Sequence, residues 1–168
     1  MNRHLTILIG ALALLGGPDA TAMTVDPAPL EVLWAEADAV VHGTVVATEA
    51  VAAPTSPRVH TQVTVVIWQV AKASRADAIG RTLSLTLPGG TLGRLRTVSP
   101  GVPRLTPGDE LVLLLDRTPR GWLPIGYRLG ALFVGDDGAL RQAAPGGRPS
   151  PTPLLDAAWL SSALGVTR

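Results

Sequence analysis

Alternating hydrophobic and polar positions mark the centre of the chain. Between residues 82 and 87 leucine alternates with serine or threonine, and Pro88-Gly89-Gly90 follows at once. A period of two places the leucines on one face of a β-strand. Proline cannot donate to a strand ladder and glycine favours turn dihedral angles, so the strand is expected to end there. A second strand is predicted at 111–115, a continuous apolar run that follows the turn residues Pro107-Gly108.

Further strands are predicted on both sides of this pair. Residues 39–48 and 59–71 are rich in valine and threonine, and a loop with two prolines separates them at 50–57. The remaining strand material is expected at 92–98, at 122–125, at 127–134 and at 139–142, with a hairpin loop at 116–121 and a tight turn at 136–138. The chain therefore alternates short strands with turns over most of its length.

A short helix is predicted at each end of this run of strands. Asp26-Pro27 is a suitable N-cap and first helical position, and Leu30, Leu33, Trp34 and Ala37 then share one side. Residues 144–153 hold four prolines and two glycines, which predicts a linker or loosely attached loop.

The last helix is predicted at 154–165, capped by Thr152 and ended by Gly165. Leu155, Trp159 and Leu160 form its apolar side. We expect this side to dock on its own domain, with docking on a partner as the alternative.

Strands between two short helices favour a mainly β fold: a small closed or partly closed β barrel with a short helix before the first strand and a C-terminal helix. The expected organisation is a signal peptide at 1–22, the barrel domain at 23–143, the linker at 144–153 and the helix at 154–165.

The first 22 residues have the pattern of a secretory signal. Arg3 gives a positive start, residues 5–17 are mostly apolar, and Ala20-Thr21-Ala22 is a small-x-small cleavage site. The apolar stretch is shorter than the roughly 20 residues that a spanning helix needs, so no transmembrane segment is expected after cleavage. The protein is predicted to be exported, with periplasm and secretion both left open.

Composition narrows the function classes. Hydrophobic residues make up 46% of the chain and charged residues 16%, a balance that favours a folded core over disorder. The net charge of +1 gives no overall attraction to nucleic acid or anionic membrane. The chain has no cysteine, which excludes disulfides, thiolate metal sites and a lipoprotein anchor.

Five motifs occur in order at 37–43, 61–70, 87–90, 107–110 and 126–130. Together they resemble the pattern of a group of uncharacterised exported bacterial proteins. Residues 36–46, where a short helix ends in Ala37-Asp38 and a valine-rich strand follows, more distantly resemble the start of netrin-like domains and tissue inhibitors of metalloproteases. The resemblance implies an OB-like barrel and no known activity. The metalloprotease inhibitors chelate zinc through an amino-terminal cysteine, which this chain lacks, so that mechanism is excluded.

No catalytic, metal or cofactor site is predicted. A hairpin about the 50–58 loop would place His42 and His60 at its opposite ends, on strand surfaces or rims. A hydrolase would require a pocket that joins one of these histidines to a carboxylate. The acid pairs Asp109-Glu110 and Asp136-Asp137 lie in turn contexts, where a turn role is favoured over calcium or acid–base chemistry. The glycines at 89–93 lack the Gly-Lys-Ser/Thr ending of a phosphate loop, so no nucleotide is expected.

The best functional lead is the basic segment at 88–108. No acid occurs from 81 to 106, and Arg94, Arg96 and Arg104 lie there beside Gly89 and Gly90. These five residues are the predicted partner-binding site, for an unknown protein or an anionic glycan of the cell envelope. The alternative is a solvated loop in an arginine-rich composition. Nucleic acid is not expected because the segment has no aromatic residue for stacking.

We therefore predict an exported, non-catalytic binding or structural module that uses 88–108 as its contact surface. An enzyme accessory or inhibitor domain that inserts this loop into a partner is the alternative, and a hydrolase is the least favoured.

The signal prediction is tested by expressing the full chain in a bacterium with a secretory pathway. Cleavage after Ala22 should leave a mature protein that begins at Met23, because the enzyme that removes the signal recognises the small residues before that bond. Intact-mass spectrometry of the exported fraction reads the new terminus. A cell-associated product that retains residues 1–22 would contradict the prediction.

Overall fold

The computed structural model describes residues 29–53, 57–74 and 79–164. The predicted signal peptide and the expected Asp26-Pro27 helix start lie outside these residues. The elements are α1 (Leu30–Glu36), β1 (Ala39–Ala52), β2 (Val59–Ala73), β3 (Thr82–Pro88), β4 (Gly90–Leu92), β5 (Leu95–Thr97), β6 (Glu110–Thr118), β7 (Gly121–Pro124), β8 (Ala131–Val134), β9 (Leu140–Gln142) and α2 (Ala157–Leu164).

Five strands close into a ring in the order β1-β2-β3-β7-β6, and β6 pairs back to β1. All pairings in the ring are antiparallel except β3 with β7, which meet in parallel at Leu85 and Trp122. β8 and β9 extend the sheet beyond β6, and β4 and β5 form a separate hairpin. The mainly β fold, the ring of strands and the two flanking helices confirm the predicted architecture.

β6 explains the continuous apolar run in the sequence, because both of its faces are buried. Leu111, Leu113 and Leu115 point into the ring and join the core cluster there. Val112 and Leu114 point outwards and belong to a second core, which the two helices cover. A strand that is buried on both faces needs no polar alternation, whereas β3 keeps its leucines inside and its hydroxyl residues exposed.

The C-terminal helix docks on its own chain, as expected. Leu160 and Leu164 are buried in the outer core, and the Trp159 ring meets Trp34 of α1 edge to face with centroids 5.5 Å apart. The helix begins at Ala157, later than predicted. Its start is set by Asp156, whose Oδ1 accepts a hydrogen bond from the Trp159 amide at 3.0 Å, so the predicted cap at Thr152 is wrong.

The segment 144–153 is attached to the domain rather than loose. The Arg104 amide donates to Gly147 O at 2.7 Å and the Ser150 amide to Gln142 O at 2.8 Å. Arg148 pairs with Asp109 at 2.9 Å. The prolines and glycines of 144–153 correctly predicted an irregular path. The amino-acid composition of the segment does not indicate these contacts with distant residues.

The predicted strand at 127–134 is also corrected, since only Ala131–Val134 is a strand. Gly126 and Tyr127 adopt left-handed backbone, with φ of 52° and 53°, which interrupts a strand. Gly130 then lies against two other segments: its amide donates to Ile125 O and its carbonyl accepts from the Leu114 amide, both at 2.8 Å. Within the described part of the chain, no helix has the length and apolar character needed to cross a membrane.

Because the backbone is closely packed around Gly130, adding a single methyl group at this position should destabilise the fold. A Cβ at this position would lie 2.6 Å from both Leu114 O and Ile125 N, which are backbone atoms that cannot move aside cheaply. We expect Gly130→Ala to lower the free energy of unfolding by about 1–3 kcal/mol. Urea denaturation measures the change.

Gly146→Ala is the matched control, because no atom lies within 4 Å of a Cβ built there. Its unfolding free energy should stay within about 0.5 kcal/mol of the parent. Equal stability of both variants would show that the backbone does not depend on glycine at position 130.

Candidate functional site

Two glycines turn the chain out of the ring at the start of the basic segment. Gly89 and Gly90 have φ of 103° and 141°, which side-chain-bearing residues rarely adopt. A Cβ on Gly90 would also lie 2.8 Å from Thr61 Oγ1. Both glycines of the predicted site therefore act through their backbone conformation, which sets the direction of the hairpin.

The base of this hairpin is fixed to the start of β2. The Gly89 amide donates to Val59 O at 3.0 Å, and Thr61 Oγ1 donates to Gly89 O at 2.8 Å. On the returning strand, Thr97 Oγ1 accepts from the Val59 amide at 2.8 Å. These three hydrogen bonds hold the hairpin in one orientation on the ring.

The outer part of the hairpin is both apolar and cationic. β4 and β5 pair through Thr91–Arg96 and Leu92–Leu95, so Gly93 and Arg94 form the turn. Leu92, Leu95 and the following Val98 are exposed, Leu95 to 51% and Val98 to 66%. Contact with a partner would remove the apolar surface of these side chains from water, which is favourable.

The three predicted arginines do not form one cluster. Arg94 lies in the hairpin turn, whereas Arg96 and Arg104 line a cleft of about 500 Å³ between the hairpin and the returning segment, with Leu87 and Val63 also in its lining. The guanidinium groups of all three make no ion pair or hydrogen bond with any residue that the structure describes. Their charge is available to an anionic partner.

A second concave region lies beside His42. The prediction that His42 lies on a strand surface or rim is wrong: the residue is only 2% exposed, because β1 is flanked by both β2 and β6. Its Nε2 lies 2.8 Å from Glu110 Oε1. The pair lines an open groove of about 1220 Å³, which we call the polar groove.

His42 and His60 do lie far apart along the hairpin, as predicted. His42 is opposite Gln69 and His60 is opposite Val51. The partner of His42 is Glu110 of β6, which is distant in the sequence. Nothing in the local sequence around 109–110 indicates that Glu110 would contact His42. The structure thus contains a histidine–carboxylate contact in a concave site, which is the arrangement that a hydrolase requires.

Two further acids of the polar groove, Asp109 and Asp137, are held by arginines. Asp109 Oδ2 accepts from Arg148 Nη1 at 2.9 Å and from the Thr106 amide at 2.7 Å, which confirms its turn-capping role. Asp137 forms a two-bond pair with Arg141, at 2.8 and 2.7 Å. These hydrogen bonds hold the pKa of Asp137 well below its usual range, and they raise the pKa of Arg141.

Asp136 and Asp137 lie in a turn, as predicted. The Gly138 amide donates to Gly135 O at 2.8 Å, and Asp137 Oδ1 accepts from the Ala139 amide at 3.1 Å. Over the residues that the structure describes, no three side chains of histidine, aspartate or glutamate are grouped so as to hold a metal ion.

An acidic corner lies away from both concave regions, where α1 meets β6. Burial raises the pKa of Asp116, and the carboxylates of Asp38 and Glu36 raise it further. Asp38 has a structural partner here, because its Oδ2 accepts from the Arg117 amide at 2.8 Å. We assign this corner a packing role.

Comparison with known proteins finds no matching family model, no matching curated protein and no matching solved structure. The resemblance to netrin-like domains and to exported bacterial proteins therefore stays a prediction. The support for a function comes from the geometry of the hairpin and of the polar groove.

The anchoring of the hairpin is tested by Thr97→Val, which removes the acceptor for the Val59 amide and keeps the side-chain shape. Val59 is buried, so its amide would lose its partner away from water. We expect the unfolding free energy to fall by about 1–3 kcal/mol and hydrogen exchange at the Val59 amide to accelerate.

Thr91→Val is the control on the same hairpin, since Thr91 is exposed and its hydroxyl has no partner among the described residues. It should change stability by less than about 0.5 kcal/mol. Unaltered exchange at Val59 in the Thr97 variant would mean that the hairpin base is held by other contacts.

Proposed function

We propose that this protein is an exported, non-catalytic binding or structural module of the cell envelope, with its contact surface on residues 88–108. One observation carries the proposal: a hairpin with a hydrogen-bonded base presents exposed apolar side chains and unpaired arginines together. A fixed base lowers the entropy lost on binding, because the loop is already ordered before a partner arrives.

The chemistry of the surface selects an anionic partner. Arg94 is exposed in the hairpin turn, and Arg96 lines the cleft together with Arg104. A complementary partner would therefore offer carboxylates or sulfates to the turn and to this cleft, and apolar groups to the exposed Leu95. Guanidinium groups bind such anions through paired hydrogen bonds. An acidic protein or an anionic glycan of the envelope fits this description. We do not propose a nucleic acid or nucleotide ligand, since 88–108 holds no aromatic residue for stacking and no phosphate-loop sequence.

An enzyme accessory or inhibitor domain is the second candidate, and the shape of the hairpin favours it. The hairpin has only two strands, β4 and β5, of three residues each. A projection this narrow and short can enter the cleft of a partner enzyme. The two candidates differ in one measurable respect, since insertion into an active site changes the turnover of the partner whereas docking elsewhere leaves it unchanged.

A hydrolase remains the third candidate, and the His42–Glu110 contact is the observation in its favour. A carboxylate held by a histidine can act as a general base on water. This candidate requires that the protein turn over a substrate and that Glu110→Gln abolish the turnover while leaving the fold intact.

The proposed contact surface is tested by affinity capture from the envelope fraction and medium of the source organism. The parent protein is compared with Arg94→Ala/Arg96→Ala, and Arg81→Ala/Arg120→Ala serves as the control with the same loss of charge at exposed positions outside the hairpin. We expect a partner that the parent and control retain and that the hairpin variant binds at least about tenfold more weakly, with binding weakened by salt.

Thermal unfolding must show that all three proteins are folded. A partner that the hairpin variant binds as tightly as the parent would refute the contact surface, as would the absence of any specifically captured partner.

A further inference from the structure

Trp68 occupies an unusual position on β2. Opposite His42 lies Gln69, and opposite the next residue of β1, Gly43, lies Ile67, so Trp68 is the extra residue of a β-bulge with no counterpart on β1. Bulges redirect a side chain relative to the regular strand alternation. The Trp68 side chain is 57% exposed, and it lines the polar groove.

The indole of Trp68 contacts a buried ring. The His42 ring meets it edge to face, with centroids 5.1 Å apart and an interplanar angle of 78°. His42 is in turn held by the partly exposed Glu110 through the 2.8 Å contact. Burying a polar ring such as that of His42 is costly unless its nitrogens have partners. The series Glu110–His42–Trp68 therefore orients an exposed aromatic face in the groove.

Both signs of charge surround this face, with carboxylates in excess. Asp109 with Arg148 and Asp137 with Arg141 line the groove beside the His42–Glu110 pair. Asp136 lines it as well, so an anionic ligand would be repelled. A hydroxyl-rich neutral ligand suits the same surface, because hydroxyl groups donate to carboxylates and accept from guanidinium groups. The side chains of Arg148 and Asp137 are half exposed, at 50% and 55%, and so are within reach of such a ligand.

We propose that the polar groove is a binding site for an uncharged oligosaccharide, with one sugar ring stacked on Trp68. One face of a pyranose ring consists of C–H groups, which pack on an indole face, while its hydroxyl groups point sideways to polar partners. The groove volume of about 1220 Å³ exceeds the space that one sugar ring fills, so a chain of several sugars is the expected ligand class. Gly108, at the end of the 88–108 segment, lines the groove, but the β4–β5 hairpin and its arginines do not, so the proposal does not depend on the function of the hairpin.

The test uses the full protein labelled with ¹⁵N and follows its tryptophan indole resonances by NMR. The probes are the neutral tetrasaccharides cellotetraose, maltotetraose and chitotetraose, with tetragalacturonate as the anionic comparison. The chain has four tryptophans. We expect at least one neutral probe to shift the Trp68 indole signal in a saturable manner, with the signals of Trp34, Trp122 and Trp159 nearly unchanged and tetragalacturonate at least about tenfold weaker.

Two substitutions at position 68 separate stacking from a general apolar contact. Trp68→Ala should weaken the affinity about tenfold or more, and Trp68→Phe should recover part of the loss because it restores an aromatic face. Leu95→Ala, an exposed apolar residue on the hairpin, should leave the affinity unchanged.

Three results would overturn the proposal. These are no saturable shift with any neutral probe, tighter binding of tetragalacturonate than of every neutral probe, and full affinity in the folded Trp68→Ala variant. None of them bears on the hairpin surface, whose test uses other variants and another readout.

Discussion

The antiparallel pairing of β1 with β6 is the constraint on which the rest of the structure depends. It runs from Ala39 opposite Leu115 to Thr44 opposite Glu110, and it closes the five-stranded ring. Closure makes β1 an interior strand with neighbours on both sides and gives β6 two buried faces. One face fills the ring, and the other supplies the platform on which both helices dock.

The same pairing determines where polar groups of this protein can act. It brings Glu110 to His42, which lies far from it in sequence, and so creates the histidine–carboxylate pair beside Trp68. The loop before β6 contributes Asp109, which Arg148 holds from the other side. The polar groove is thus lined by more carboxylates than arginines, whereas the segment 88–108 carries arginines whose side chains pair with no described residue. Two surfaces of one small domain therefore differ in the ligand charge they favour.

Local patterns predicted most elements of this fold. The alternation in β3, the valine-rich β1 and β2 and the apolar run of β6 all correspond to strands in the structure. The errors lie where distant contacts override local signals. The predicted strand at 127–134 gives way to turns around Gly126, and the proline-rich 144–153 segment is held by hydrogen bonds to Arg104 and Gln142. Composition alone contains no information about those partners.

The sequence by itself determined the mainly β character, the flanking helices and the basic, acid-free segment, because strand alternation, helix periodicity and charge are properties of neighbouring residues. Only the tertiary structure decided that His42 is buried against Glu110, that a bulge exposes Trp68 beside it, and that Arg96 and Arg104 share a cleft while Arg94 stands apart. Each of these depends on strand register and ring closure. Register is set by many weak contacts between distant residues, so no local pattern specifies it.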